Sequence, residues 1–301
     1  MVLTGYSISA ARDAVLSDDG SQVAFTVGPA SGSGAAVNRF LAFAHPHPDP
    51  FDHVRIYAPR FLSANGVASA AGGGAPTPGS LFTVYGANLG SDELVQATSF
   101  PLPSSLKEPS SLNELSLYVN GQAVPLLAVT PWQINAQLPQ TVPAGMATFQ
   151  VRDSDGFHLA AVTEPVVSYL PMYFSFPFKR GNFFYSQAAA LHAGTGIVAD
   201  MDHPAMAGET LEIYGVGLGV TNPMVDAGVA SPASPLARSV QTPRVQIGGR
   251  DATVTFAGLV PGLAGVYQVN AVVPAGIAPG IQTLSWSGTG NPANYASVAV
   301  K

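Results

Sequence analysis

The chain is poor in the residues that most active sites need. Its 301 residues include no cysteine, and only 10% are charged, against about 25% in an average soluble protein. Without cysteine there is no disulfide, no thiolate metal site and no cysteine nucleophile. Twelve basic residues against eighteen acidic ones give a formal net charge of −6, with no cluster of Lys and Arg. This balance disfavours nucleic acid as a partner, because phosphate binding needs concentrated positive charge.

A targeting or membrane-spanning segment is also missing. The first six residues, MVLTGY, lack the basic start and the apolar run of a signal peptide. Residues 252–300 carry no charge, but four prolines and many glycines interrupt them, so we predict no spanning helix there. If the protein is exported, its signal has to lie upstream of Met1. The chain would then be a fragment that follows an upstream domain.

Glycine and proline are abundant instead. The chain has 32 Gly and 26 Pro, spread along its whole length, and 47% of its residues are apolar. Many short strands joined by tight turns suit this composition, and long helices do not. We therefore predict an all-β protein with enough apolar residues for two cores.

An internal duplication is the most informative feature of the sequence, because repeats define the architecture. Four segments recur in the same order: GSLFTVYGANLG (79–90) as GETLEIYGVGLG (208–219), LYVNGQ (117–122) as VQIGGR (245–250), WQINAQLP (132–139) as YQVNAVVP (267–274), and TFQV (148–151) as TLSW (283–286).

Each repeated segment reads as a strand with one inner face. Phe82 and Val84 alternate with polar neighbours, and Leu211 and Ile213 do the same in the second copy, which is typical of an antiparallel sheet with one buried side. By the same alternation, we predict that Trp132 shares the inner face of Ile134. The dipeptides Asn-Gly at 120–121 and Gly-Gly at 248–249 predict two-residue hairpin turns.

The segment Pro78–Gly90 resembles the opening strand of IPT/TIG-type immunoglobulin-like domains. Together with residues 131–139 and 265–270, it is similar to an uncharacterised tandem C-terminal module of secreted bacterial proteins. The resemblance covers roughly residues 56–301 and implies two tandem immunoglobulin-like β-sandwiches, 56–170 and 171–301. It implies no catalytic residue.

Residues 1–55 differ from the repeats. The sequence DAVLSDDGSQVAFTV (13–27) predicts a strand, a turn at Asp19-Gly20 and a second strand. It resembles a blade hairpin of TolB-like β-propellers. Because a propeller needs at least four blades, we interpret this hairpin as the remnant of an upstream propeller, followed by a Pro-rich linker.

Three of the six histidines, His45, His47 and His53, lie close together beside Asp49 and Asp52. A His-x-His pair on an extended strand places both rings on one side, so zinc or copper binding is conceivable. The alternating prolines at 46, 48 and 50 instead indicate a solvated, polyproline-like linker. We therefore predict no metal site and no cofactor.

The sequence contains no motif for calcium binding, dinucleotide binding or hydrolysis. The Asp-Gly turns lack a calcium loop with its distal Glu, and Gly215–Gly219 lacks the spacing of a dinucleotide fingerprint. No Gly-x-Ser-x-Gly occurs, and carboxylates are too scattered for an acid/base pair. The sequence therefore predicts a protein that is not an enzyme.

Two features could bind a ligand. Residues 172–185 hold seven aromatic residues in fourteen, including Tyr173, Phe176, Phe183 and Tyr185. They form either an interface between the two domains or an exposed patch that stacks on a polysaccharide or a surface protein. Gln133 and Asn135 share the outer face of their strand, where amides either bond the backbone or meet a ligand.

These observations lead to two hypotheses for function. The first is an extracellular or cell-surface structural or adhesion module that displays or spaces an upstream domain. The second is a carbohydrate-binding accessory module of a larger secreted enzyme or propeller protein.

Overall fold

A computed structural model describes the strands at 11–16, 22–27, 38–44 and 56–57, and residues 60–301 apart from 91–93, 108–113, 155–159, 181 and 288–293. The described residues form strands and turns with no helix, as predicted for an all-β chain. Consequently, none of them belongs to a helix that could cross a membrane. The chain divides into two compact units, Met1–Phe61 and Leu62–Lys301.

The described strands of the first unit form a four-stranded antiparallel sheet. Its strands are β1 (Ala11–Leu16), β2 (Gln22–Val27), β3 (Asn38–Ala44) and β4 (Ile56–Tyr57), paired in sequence order. β1 and β2 pair as the predicted hairpin requires, with Ala11 opposite Val27. The turn at 19–20 and the histidine cluster (His45, His47, His53) lie outside the described residues. The propeller resemblance and the predicted boundary at residue 55 stay predictions.

Ten strands follow in the described residues up to 166, the first of them running from Phe61, the last residue of the first unit, into the second unit. They are β5 (Phe61–Ser69), β6 (Leu81–Ala87), β7 (Val95–Gln96), β8 (Ser105–Lys107), β9 (Glu114–Val119), β10 (Gln122–Ala123), β11 (Leu126–Val129), β12 (Gln133–Gln137), β13 (Gly145–Asp153) and β14 (Ala160–Val166). One sheet has the order β5-β6-β12-β11-β7, and the other has the order β10-β9-β13-β14 with β8 also paired to β9. We call this pair of sheets the first sandwich.

A hydrophobic core fills the space between these two sheets. Phe82 and Ile134 come from one sheet, Leu117 and Phe149 come from the other, and all four are fully buried. The rings of Phe82 and Phe149 meet edge to face with centroids 5.6 Å apart, an arrangement that aromatic pairs favour. Leu89 closes the sandwich end as a fully buried residue.

Twelve more strands follow in the described part of the second unit. They are β15 (Met172–Tyr173), β16 (Ser175–Arg180), β17 (Phe183–Ala188), β18 (Ala190–His192), β19 (Thr210–Val216), β20 (Thr221–Asn222), β21 (Arg238–Ser239), β22 (Arg244–Ile247), β23 (Arg250–Leu259), β24 (Tyr267–Val272), β25 (Gly280–Ser287) and β26 (Tyr295–Val300). We call them the second sandwich. Its layers are β15-β19-β24-β23 and β23-β22-β25-β26-β17-β16.

The strand β23 belongs to both layers of the second sandwich. Its first residues pair with β22, at Ala252 opposite Val245, and its later residues pair with β24, at Leu259 opposite Tyr267. The pairing with β24 begins at Thr253, and a register shift follows within it, between Val254 and Phe256. Bulges of this kind bend a strand and let it pass from one sheet to another.

The duplicated segments form corresponding pairs of strands. β6 pairs with β12 as β19 pairs with β24, and β9 pairs with β13 as β22 pairs with β25. The predicted hairpin turns are confirmed: Asn120 and Gly121 have φ of 50° and 82°, and Gly248 and Gly249 have 58° and 75°. Positive φ at both central residues matches the twist of the flanking strands.

Candidate functional site

The outward sides of two duplicated strand pairs carry similar polar residues. On β6 and β12, Tyr85 lies opposite Gln133, and Thr83 lies opposite Asn135. We call these four residues the first amide face. Their neighbours in the chain, such as Phe82 and Ile134, point into the core, so alternation turns the four outward.

The second copy repeats this arrangement. On β19 and β24, Tyr214 lies opposite Gln268, and Glu212 lies opposite Asn270. We call these four residues the second amide face. Both copies therefore present a tyrosine, a glutamine and an asparagine from the same strand positions, although the second copy replaces Thr83 by a carboxylate.

The two amide faces flank one apolar contact between the sandwiches. Leu81 continues the row of Thr83 and Tyr85, and it packs in a small cluster with Val216 and Met172. Val216 continues the row of Tyr214 by one pleat. Because residues two apart on a strand share a side, both faces start from this contact and extend away from it.

Exposure increases with distance from the contact along the first amide face. Leu81 and Thr83 are buried, whereas Tyr85 is 45% exposed. Gln137 is buried, while Asn135 and Gln133, further along the same row, are half-buried. The outer rows of this face are therefore accessible from solvent.

The amides are preorganised in the same way in both copies. Gln133 Nε2 donates to Asn135 Oδ1 at 3.4 Å, and Gln268 Nε2 donates to Asn270 Oδ1 at 2.7 Å. Thr83 Oγ1 also donates to Asn135 Oδ1, at 2.9 Å. Within the described part of the chain, the Oε1 of each Gln and the Nδ2 of each Asn have no partner. Each pair thus offers one acceptor and one donor to a ligand.

Tyr214 and Glu212 are linked on the second face. The Tyr214 hydroxyl donates to Glu212 Oε2 at 3.2 Å, and Glu212 Oε1 accepts from the backbone N–H of Gly194 at 3.3 Å. Burial, together with the neighbouring Glu212 carboxylate, raises the pKa of Tyr214. Tyr214 therefore remains a neutral hydroxyl with an aromatic ring at physiological pH.

Buried polar contacts fix one sandwich against the other. Gln137 Nε2 donates to the Gly79 carbonyl at 3.1 Å, and Gln137 Oε1 accepts from Gly228 N–H at 2.6 Å. Gln140 Oε1 accepts from Thr221 N–H at 2.7 Å. Breaking such buried bonds leaves polar groups without partners, so these contacts hold the two amide faces in a constant relative position.

Tyr173 is a core residue, which corrects its predicted role in ligand binding. Its side chain is fully buried, and its hydroxyl oxygen lies 2.6 Å from the Leu284 carbonyl and 2.8 Å from the Asn294 carbonyl, which share its single hydrogen. Its ring stacks on Trp286 with centroids 6.1 Å apart. No ring face remains for a ligand. Burial raises the pKa of Tyr173.

The other predicted aromatic residues lie in the hairpin β16–β17. Phe176 is 39% exposed, and Tyr185 is half-buried with its ring 5.1 Å from that of Phe178. The side chain of Phe183 lies outside the described residues. This hairpin lies in the β23-β22-β25-β26-β17-β16 layer of the second sandwich, whereas Gln133 and Asn135 lie on β12 of the first sandwich. The structure therefore does not bring the predicted aromatic residues and the predicted amides together.

Trp132 departs from its predicted inward position. It is 57% exposed, whereas its counterpart Tyr267 is fully buried. Trp132 precedes β12 and lies opposite Gly86, whose N–H donates to the Trp132 carbonyl at 2.9 Å. Alternation correctly predicted that Ile134 and Ala136 point inward. It fails for Trp132, because this residue lies before β12, where the core has already ended.

Metal and catalytic groups are sparse in the described part of the second unit. No group of three or more His, Asp or Glu side chains there could hold a metal ion. An apolar pocket of about 210 Å³ lies at the sandwich junction, between Pro143 and Val240, and no titratable residue lines it.

Comparisons with known proteins give little further information. No family model and no curated protein matches the chain. Among solved structures, the chain is similar to SGBP-B of the Bacteroides ovatus mixed-linkage glucan utilization locus, in complex with a mixed-linkage heptasaccharide. The TM-score is 0.31 and the identity 13%, over 93% of this chain and 54% of that one. The chain thus spans about half the length of that protein.

Proposed function

We propose that this chain is a non-catalytic, extracellular or cell-surface carbohydrate-binding module. It takes a polysaccharide chain between the first and second amide faces. The observation that carries the proposal is the duplication of a Tyr–Gln–Asn arrangement on two faces that flank the same apolar contact. Both sandwiches are immunoglobulin-like in this proposal, in keeping with the paired layers and hairpin turns.

The chemistry of the faces matches sugars. A sugar hydroxyl both donates and accepts, and each Gln–Asn pair leaves one acceptor and one donor without a partner in the described part of the chain. The rings of Tyr85 and Tyr214 supply apolar area beside these amides, with a polar tip that tolerates water. Such combinations of few polar groups and aromatic rings are typical of ligand sites.

Rigidity favours one binding site over two independent ones. Gln137 and Gln140 hold the sandwiches together through buried bonds, so a ligand that bridges the faces does not have to order them first. Preorganisation of this kind raises affinity by lowering the entropy cost of binding.

The residues of the faces support binding without turnover. Glu212 is the one carboxylate among the eight residues of the two faces, and its oxygens already accept from Tyr214 and Gly194. Glycoside hydrolysis needs two carboxyl groups on opposite sides of the bond. A polysaccharide bound here would be released intact.

A binding assay with the full chain tests the proposal. Retention on insoluble polysaccharides, followed by titration against soluble hydroxyethyl cellulose, xylan, mannan and dextran, should identify at least one ligand. The double variant Gln133→Ala/Gln268→Ala should bind it roughly thirtyfold more weakly, because it loses two neutral hydrogen bonds that contribute about 1 kcal/mol each.

Gln122→Ala provides the matched control. Gln122 is an exposed glutamine on β10, in the other layer of the first sandwich, and its loss should leave binding unchanged. Absence of any polysaccharide binding, or equal binding by the double variant, would contradict the proposed function.

A rigid spacer or adhesion module is the second candidate. The buried bonds of Gln137 and Gln140 across the sandwich contact favour it, because a spacer must resist bending. Under this function, Gln137→Ala/Gln140→Ala should broaden the distribution of overall dimensions in small-angle scattering. An unchanged scattering profile would speak against a spacer.

A further inference from the structure

The structure singles out Trp132 among the duplicated positions. Its counterpart Tyr267 is sealed in the second sandwich, yet Trp132 is 57% exposed. A large aromatic side chain that is more than half exposed at a defined position is more informative than an exposed aliphatic one, because tryptophan is enriched at binding hot spots.

The backbone around Trp132 is held on both sides. Thr130 Oγ1 accepts from the N–H groups of Trp132 and Gln133 at 3.3 and 3.1 Å. The Pro131 carbonyl accepts from Leu89 N–H at 3.0 Å, and the Trp132 carbonyl accepts from Gly86 N–H. An indole on such a backbone is presented from a fixed base.

Trp132 lies at the outer end of the first amide face. It is the chain neighbour of Gln133, and Gly86, opposite it, is the neighbour of Tyr85. Because successive side chains point to opposite sides of a strand, Trp132 lies at the rim of the sandwich and not on the face itself. A chain that leaves the face beyond Tyr85 would pass this rim.

We propose that Trp132 is an aromatic subsite that stacks on the sugar unit leaving the first amide face at the Tyr85–Gln133 end. This subsite rests on the proposed function, and it takes a pyranose ring, whose C–H-rich side is apolar enough to cover an indole. The amides select hydroxyl positions, and Trp132 adds contact area that does not depend on them.

Fluorescence can follow this residue directly. The chain has two tryptophans, and Trp286 is 1% exposed and stacked on Tyr173. Acrylamide therefore reaches Trp132 and is excluded from Trp286. Saturation of the full chain with whichever of hydroxyethyl cellulose, xylan, mannan or dextran binds should lower the acrylamide quenching of Trp132.

Variants supply the second readout. Trp132→Ala should weaken polysaccharide binding about tenfold, and Trp132→Phe should restore most of it because a ring remains. Tyr295→Ala removes another exposed aromatic residue, on β26, and should bind like the wild type. The thermal midpoint of Trp132→Ala should stay close to that of the wild type.

The outcomes separate the subsite from the proposed function. Polysaccharide binding that saturates without protecting Trp132 from acrylamide would overturn the subsite and leave the amide faces standing. Wild-type affinity in Trp132→Ala would do the same. If none of the four polysaccharides binds even to the wild type, the proposed function fails and the subsite with it.

Discussion

The hydroxyl oxygen of Tyr267 lies 2.5 Å from the point where a β-carbon on Gly79 would stand. Gly79 belongs to the first sandwich and Tyr267 to the second, so a glycine of one copy makes room for a tyrosine of the other. The same hydroxyl donates to the carbonyl of Gly219. This contact shows how closely the two sandwiches approach each other.

Gly79→Ala should therefore destabilise the protein. Gly79 has a φ of +83°, and left-handed backbone at a residue with a β-carbon, together with the clash against Tyr267, should cost about 1–3 kcal/mol of unfolding free energy. Urea unfolding followed by tryptophan fluorescence measures this loss.

The duplication provides the control for this substitution. Gly208 occupies the corresponding position with the same φ of +83°, and a β-carbon there would meet nothing within 4 Å. Gly208→Ala should thus cost only the backbone strain. If both variants lose the same stability, the Tyr267 contact contributes nothing at Gly79.

Tyr173→Phe should separate a core role from a ligand role. The variant keeps the ring on Trp286 but removes a hydroxyl that lies within hydrogen-bond distance of the Leu284 and Asn294 carbonyls, at a cost of about 1–3 kcal/mol. Polysaccharide affinity should stay at the wild-type value. A fall in affinity without a fall in the thermal midpoint would restore the ligand role predicted from the sequence.

Alternation and turn chemistry predict much of the fold. Alternation along the strands correctly predicted the core positions of Phe82, Val84, Leu211 and Ile213, and the Asn120-Gly121 dipeptide correctly predicted a hairpin turn. Both features could be predicted because they depend on neighbours in the chain. The inward direction of the Tyr173 side chain could not be predicted, because residues 172–174 are three aromatic or long side chains in succession and each of them fits either face. Only the pairing of β15 with β19 decides which of them points inward.

The candidate site was only partly accessible to sequence reasoning. The duplication gave Gln133 and Asn135 with their counterparts, because strand period alone turns them outward. That both faces flank one apolar contact depends on how Leu81 and Val216 meet, and no local pattern carries this information. The exposure of Trp132 is likewise set by where the core ends.

The pair His192–Glu209 should make stability depend on pH. The Glu209 carboxylate faces His192 Nδ1, and the His203 carbonyl accepts from His192 Nε2 at 2.9 Å. Both groups are acceptors, so the doubly protonated ring satisfies both. Burial alone would lower the pKa of His192, but these bonds, with the nearby Asp200 charge, raise it.

The directions of the two pKa shifts determine how stability changes with pH. The raised pKa of His192 gives stability that is complete below its ordinary value of 6.5 and is lost as pH rises through the folded value. Burial alone would raise the pKa of Glu209, but the Met206 N–H, His192 and Lys301 lower it. Its contribution is present above 4.5 and is lost on acidification through the folded value.

Unfolding measurements on His192→Gln check this dependence. The difference in unfolding free energy between wild type and variant should be largest between pH 4.5 and 6.5 and should shrink in more alkaline buffer. His203→Gln is the control, because its ring is mostly exposed and its carbonyl is retained. A difference that does not change with pH would mean that the His192 ring acts only by packing.

The passage of β23 between the two layers of the second sandwich has a mechanical consequence. Any cleavage plane between those layers must cut main-chain hydrogen bonds, whereas the first sandwich, within the described residues, is divided into two separate sheets held by side chains. If the chain is pulled from its ends, the first sandwich should therefore yield at lower force than the second and act as the extensible element.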